Sequence, residues 1–236
     1  MGAFASVQPM TSITSKYDNE TKLTGDHIAC RRGGRLVFAD LSFSVRSGDF
    51  LYLKGKNGSG KSTFLRFLSG FLPAESGKLH FSANNEQVDE LPNDSFLMVG
   101  HQYGLKPNFT LRENADFFAR LHTGQPVGTE QMAAAAARFD LEPLLDDPVQ
   151  YFSSGQLHRA ALMRFALVNR QIWLMDEPTV GLDAENREAL AALIESHIAD
   201  GGIVIAATHD PMSLKGETLN MDEFQPKQAG IAEEWL

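Results

Sequence analysis

The stretch GKNGSGKST, from Gly55 to Thr63, carries the spacing G-x-x-x-x-G-K-[ST]. The spacing suits one chemistry. Glycines let successive backbone N–H groups turn toward a phosphate, and a helix beginning at Lys61 or Ser62 adds the positive end of its dipole. Lys61 is long enough to reach the β- and γ-phosphates, and the Ser62 hydroxyl can ligate Mg2+. With Gly55, Asn57, Gly58, Ser59, Gly60 and Thr63 as the rest of the cradle, these residues read as a site for a nucleoside triphosphate.

Such a site needs a carboxylate on a neighbouring strand. QIWLMDEP offers one, because the apolar run Ile172 to Met175 ends in Asp176 and Glu177. It reads as a buried parallel strand opening on a ligand crevice. Asp176 is expected to hold the metal through water, and Glu177 to orient or deprotonate an attacking water. The apolar run IVIAAT delivers Thr208 and His209 to the same edge, where His209 reads as a γ-phosphate sensor. Gln102 follows FLMVGH and is expected to touch Mg2+ or the attacking water, whereas the adjacent His101 reads as structural. A second helix-opening turn lies at FSSGQLHRAAL, Phe152 to Leu162. There Ser153 and Gln156 fit a capping box, which leaves N–H groups facing outward toward an anion.

The elements that position these groups are legible too. Phe50 to Lys54 reads as the strand before the phosphate loop. Asp183 is placed to cap the helix AENREALAALIESHIADGG, and Gly201 or Gly202 to end it. Between Gln102 and the second turn, FTLRENADFFARLH opens with a Thr110–Glu113 capping box and places Leu111, Ala115, Phe118 and Leu121 on one face. Met132 to Phe139, MAAAAARF, has strong helix propensity. A chain of 236 residues with 43% hydrophobic and 22% charged residues can bury a core. Its net charge of −9 argues against a broad nucleic-acid-binding surface. The single Cys30 fits a reducing compartment. No run approaches the length of a membrane span, and the N-terminus lacks the features of a secretory signal. Residues 1–21 read as a flexible tail, with a loose myristoylation pattern at Gly2 and Ser6.

Taken in order, the phosphate loop, Gln102, FSSGQ, WLMDEP, GLD and His209 resemble the ATP-binding cassette (ABC) family, the motor subunits of ABC transporters, over about Leu23 to Ser213. The resemblance implies an α/β fold of the P-loop NTPase type. It would have a RecA-like parallel sheet core, an antiparallel β edge, and an inserted helical subdomain at about 103–170 of a single domain 22–236. It makes Glu177 the catalytic glutamate, Gln102 the Q-loop glutamine, Asp183 the D-loop aspartate and His209 the switch histidine. Ser153, Ser154, Gly155 and Gln156 stand in the signature motif, which in that family binds the γ-phosphate held by another subunit. Two chains would then sandwich two ATPs head to tail. Phe152 and Ser154 depart from the usual Leu and Gly, but the Ser and the Gly-Gln pair remain. A tyrosine expected against adenine is replaced within CRR, so Arg32 or Arg31 would stack on the base. Preference for ATP over GTP stays open.

Within the family, GHQYGLKPNFTLRENADFFARLH, FSSGQ, CRR and GGIVIAATHDP look most like the ATPases of cytochrome c biogenesis (Ccm) haem exporters. That resemblance implies a peripheral subunit on the cytoplasmic face of the inner membrane, with Ccm membrane subunits as partners and haem delivery or haem-chaperone release as the driven step. The loop after Gln102 and the helical subdomain would form the groove for a membrane subunit. The chain ends soon after His209, so no regulatory domain is expected. Export of lipid, drug or polysaccharide is the alternative. A soluble ABC ATPase acting on nucleic acid or ribosomes fits less well, because neither a second cassette, a long coiled-coil insertion nor a basic arm is evident. A P-loop kinase or GTPase would leave FSSGQ and His209 unexplained.

Overall fold

Alternation along a few apolar strands organises the molecule. In the computed structural model, which describes residues 17, 20–83, 86–89, 91–209 and 212–226, a five-stranded parallel sheet has the order β6-β7-β8-β3-β9. Its strands are β3 (Phe50–Lys54), β6 (Phe96–Val99), β7 (Ile172–Asp176), β8 (Ile203–Ala207) and β9 (Glu217–Asn220). Tyr52, Trp173 and Val204 point into one buried cluster, whereas Leu53, Leu174 and Ile205 point into another. Both faces are covered, which is why these strands read as unbroken apolar runs.

The second of these interiors lies under helix α1 (Lys61–Leu68) and an antiparallel sheet of order β2-β1-β4-β5. That sheet comprises β1 (Lys22–Arg32), β2 (Arg35–Arg46), β4 (Ser76–Ala83) and β5 (Glu86–Val88). Phe64 of α1 packs edge-on against Phe38 and Phe43 of β2, at ring separations of 6.0 and 5.1 Å. Phe38 and Phe64, both fully buried, each contribute about 1.5–3 kcal/mol of transfer free energy, and with the partly buried Phe43 they hold the phosphate-loop helix between the two sheets. Cys30 is buried in the same cluster, and burial raises its thiol pKa.

The other interior is built from the helices inserted between β6 and β7: α2 (Leu111–Thr123), α3 (Thr129–Ala137), α4 (Ser154–Leu162) and α5 (Arg164–Leu167). They fall within the 103–170 span expected of a helical subdomain. Thr110 and Glu113 make the expected capping box on α2. Its buried side is Leu111, Asn114, Ala115 and Ala119. Leu121, expected on that side, is instead 70% exposed near the C-terminal end of α2, while Asn114 turns inward to bond the carbonyls of Lys106, Phe109 and Thr110. Between α2 and α5, the Arg164 guanidinium sits 4.3 Å over the Phe118 ring, and burial lowers its pKa to about 10.

Helix α6 (Ala184–Ala199) begins at Asp183, whose side chain accepts the Asn186 N–H, and ends in a Schellman turn. Gly202 N–H reaches the His197 carbonyl at 2.8 Å, and Gly201 N–H reaches Ile198 at 2.9 Å with φ +86°. The tail expected over 1–21 lies mostly outside the described residues, as do Gly2 and Ser6. At its end, Tyr17 donates its backbone N–H to Asp200 and sets its ring against His197, and Thr21 is buried.

Candidate active site

The phosphate loop is held open by backbone geometry that only glycine adopts readily. Gly55, Gly58 and Gly60 have φ of +133°, +83° and +106°. A Cβ on Gly55 would fall 2.6 Å from Ser59 Oγ, which is itself buried with no partner. Lys61 is 7% exposed, and its Nζ donates to the carbonyls of Gly55 at 2.7 Å and Lys56 at 3.3 Å. Thr63 is buried behind it. The start of the loop is pinned from the far end of the chain, where the Asp222 carboxylate accepts the Lys56 N–H at 3.1 Å. No sequence signal marked Asp222. It follows β9 in a short 3-10 turn, and only the sheet order brings it beside the loop.

The acids arrive as expected. Asp176 ends β7 with its side chain 3% exposed, and Ser62 Oγ donates to its Oδ1 at 3.0 Å. Glu177 is the next residue and takes φ +54°, an uncommon conformation for a non-glycine residue. Its N–H bonds the Ala207 carbonyl at 2.7 Å, and this tie to β8 holds the strained turn. His209 Nε2 lies 3.5 Å from Glu177 Oε1, 3.2 Å from Lys61 Nζ and 3.0 Å from Asn57 Oδ1. One imidazole therefore touches the lysine, the loop and the acid. Thr208 behind it shares a hydrogen bond with Thr179 at 3.2 Å.

These groups line a cleft of about 920 Å3, together with Gly58, Ser59, Gly60, Thr63 and Arg32. Of the two candidate arginines, Arg32 is the one in the cleft. Arg31 turns away to the Gly34 carbonyl and pairs with Glu75 at 3.2 Å. Gln102 does not join the site. It lines a neighbouring cleft, and His101 stands at the carboxylate instead, with Nε2 3.5 Å from Asp176 Oδ2. Both residues follow β6, which ends at Val99, and the bend there carries His101 to Asp176 and Gln102 into the neighbouring cleft.

The second turn is formed but stands apart. Ser153 Oγ accepts the Gln156 N–H at 3.2 Å, and Gln156 Oε1 accepts the Ser153 N–H at 2.8 Å. This box uses the N–H groups of residues 153 and 156 and leaves those of Ser154 and Gly155 without an intrahelical partner. Phe152 is buried in the helical subdomain's core, so the departure from leucine fills that core. None of residues 152–156 is among the described residues lining the 920 Å3 cleft. A bridge does run between the two regions. His158 of α4 donates Nδ1–H to the Val180 carbonyl at 2.7 Å, and Val180 lines the cleft three residues after Glu177. Burial lowers the His158 pKa, which favours the neutral ring in this contact.

The donor set fits a magnesium–triphosphate. Among the described residues no group of three or more His, Cys, Asp or Glu could hold a metal on its own. Mg2+ bound to phosphates needs only one or two protein oxygens, and the Ser62–Asp176 pair provides them. No helix among the described residues is long and apolar enough to cross a membrane.

Comparison with known proteins agrees with this geometry. Residues 38–180 match the family model for ABC transporters. The cytochrome c biogenesis ATP-binding export protein CcmA of Rhizobium etli is 36% identical over 211 residues, covering 89% of this chain and 98% of that protein. Among solved structures, an ABC transporter ATP-binding protein from Pyrococcus furiosus superposes with a TM-score of 0.74 at 18% identity, covering 87% of this chain and all of that one. A dimeric ATP-binding cassette in a post-hydrolysis state, bound to ADP and Pi, superposes with a TM-score of 0.68 at 24% identity, covering 80% and 88%. The chain belongs to the ABC transporter family, as its ATP-binding, ATP-hydrolysing cassette.

Proposed function

We propose that this chain is the ATPase motor of a cytochrome c maturation exporter, coupling ATP hydrolysis to haem delivery or to release of the haem-loaded chaperone. The observation that carries the reading is the 36% identity to CcmA across 98% of that protein's length. The site supports the motor chemistry independently. In this reading the N–H groups of Gly58 to Lys61 cradle the phosphates, and Lys61 neutralises charge that develops on them. Ser62 and Asp176 would hold Mg2+, which would supply charge neutralisation on the phosphates. Glu177 accepts a proton from the attacking water at its carboxylate, and His209, in reach of both Glu177 and Lys61, stabilises the γ-phosphate end. Arg32 takes the base by its planar guanidinium.

Ser153, Ser154, Gly155 and Gln156 face a nucleotide held by a second copy, because they are capped and outward-facing yet outside their own cleft. Asp183 fixes the start of α6 beside the loop that joins Glu177 to that turn. Two chains then close over two ATPs, and hydrolysis reopens them against integral membrane subunits of the Ccm complex. The cassette sits peripherally on the cytoplasmic face of the inner membrane. The test is to purify tagged Glu177→Gln chain with ATP from detergent-solubilised membranes, identify its partners and record a haem absorbance spectrum. Cytochrome c maturation subunits are the expected partners. An unrelated permease would discard the haem pathway and leave the ATPase chemistry intact.

A further inference from the structure

Two clefts meet where β6 and β7 end. The nucleotide cleft and a neighbour of about 770 Å3 share three lining residues, Arg32, His101 and Asp176. The neighbouring cleft has Leu72, Leu97 and Phe118 in its wall beside the polar Arg66, Asn93 and His122, and Gln102 lines this cleft but not the nucleotide cleft. Of the shared residues, Asp176 and His101 are in contact, and their environments are opposite. The Asp176 side chain is 3% exposed and that of His101 is 62% exposed.

The Asp176 carboxylate is approached on both oxygens. Ser62 Oγ donates to Oδ1, and His101 Nε2 stands 3.5 Å from Oδ2. A metal-holding carboxylate depends on the partner of its other oxygen for orientation, and loss of such a partner typically lowers metal affinity about 10–100-fold. Among the described residues no other side chain contacts Oδ2. We propose that His101 is the positioning residue for Asp176, turning Oδ1 toward Ser62 and so setting the Mg2+ position, while its opposite edge forms part of the neighbouring cleft. This rests on the magnesium–triphosphate reading of the site. It gives His101 a role distinct from the contact with Mg2+ or the attacking water that the sequence suggests for Gln102, and it places one exposed ring beside the buried acid where the two clefts meet.

The test titrates Mg2+ into the purified full chain in the presence of a fluorescent ATP analogue, and repeats the nucleotide titration in EDTA. His101→Ala should raise the half-saturating Mg2+ concentration about tenfold, with analogue affinity in EDTA unchanged. His101→Gln should restore most of the loss, since its amide N–H reaches about as far as imidazole Nε2. Gln102→Ala should shift the Mg2+ curve less than His101→Ala. The proposal is overturned if His101→Ala titrates like the wild type, if Gln102→Ala carries the larger loss, or if His101→Ala weakens binding equally in EDTA. Wild-type chain that binds the analogue without any dependence on Mg2+ would remove the underlying site reading, and this role with it. A wild type with normal Mg2+ dependence separates the two failures.

Discussion

The chain holds two helix-opening turns whose first N–H groups lack intrahelical partners, and they differ in what surrounds them. At Gly55–Thr63 the turn is walled by side chains brought from β7, β8 and the Asp222 turn, and its lysine is 7% exposed. At Ser153–Gln156 the turn is capped by its own two side chains, and Ser153 and Ser154 face solvent. The first lines the nucleotide cleft, and no residue of the second is among the described residues lining it. The proposal that another copy completes the second turn rests on this difference. The shared element is the loop from Glu177 to Asp183, which touches the cleft through Val180 and the second turn through His158.

The largest expected effect falls on the walled turn. Lys61→Ala should lower ATP turnover by roughly 10²–10³-fold, the cost typical of losing a charge-stabilising group, in a phosphate-release assay. Near-wild-type turnover would break the assignment of this cleft. Glu177→Gln should reduce turnover by about 10²–10⁴-fold while leaving ATP bound, and should elute as a dimer on gel filtration only when ATP is present. Identical elution with and without ATP would count against a shared nucleotide.

A smaller and more discriminating effect is expected at the outlying turn. Ser154→Asp places a negative charge at a helix N-terminus, which favours the helix itself but repels an incoming phosphate. It should keep or raise the melting temperature while turnover falls about tenfold or more, the scale of one lost charge-assisted contact. Mixing it with Lys61→Ala should recover part of the activity, since a heterodimer contains one intact composite site. No recovery would mean that the second turn does not serve its partner's nucleotide. The smallest effect is structural. Asp183→Ala removes the cap of α6 and should lower the melting temperature by roughly 2–4 °C at neutral pH. The Asn186 N–H holds the Asp183 carboxyl below its ordinary pKa, so its stabilisation is present at neutral pH and is lost as pH falls through that lowered value. The difference between wild type and variant should shrink in acid.

Much of this was legible because the signals are local. The loop glycines, the Thr110–Glu113 and Ser153–Gln156 boxes, the Asp183 cap and the Gly201–Gly202 stop each depend on residues within a few positions of one another. They formed as read. Strand identity was legible as well, because burial on two faces leaves apolar runs with no polar alternation. What failed depended on angle or on distance along the chain. Leu121, near the C-terminal end of α2, is exposed although it lies on the same helical face as the buried Asn114.

The sequence by itself determined that this chain holds a phosphate loop, the acids to work with it and a second anion-facing turn, since each is a short pattern with one favourable backbone solution. Only the tertiary structure decided which neighbours meet them. Arg32 rather than Arg31 enters the cleft because side chains alternate along β1. His101 rather than Gln102 meets Asp176 because of how the chain bends after β6 ends at Val99. Asp222 reaches the loop because β9 pairs with β3, a contact across more than 160 residues that no local pattern encodes.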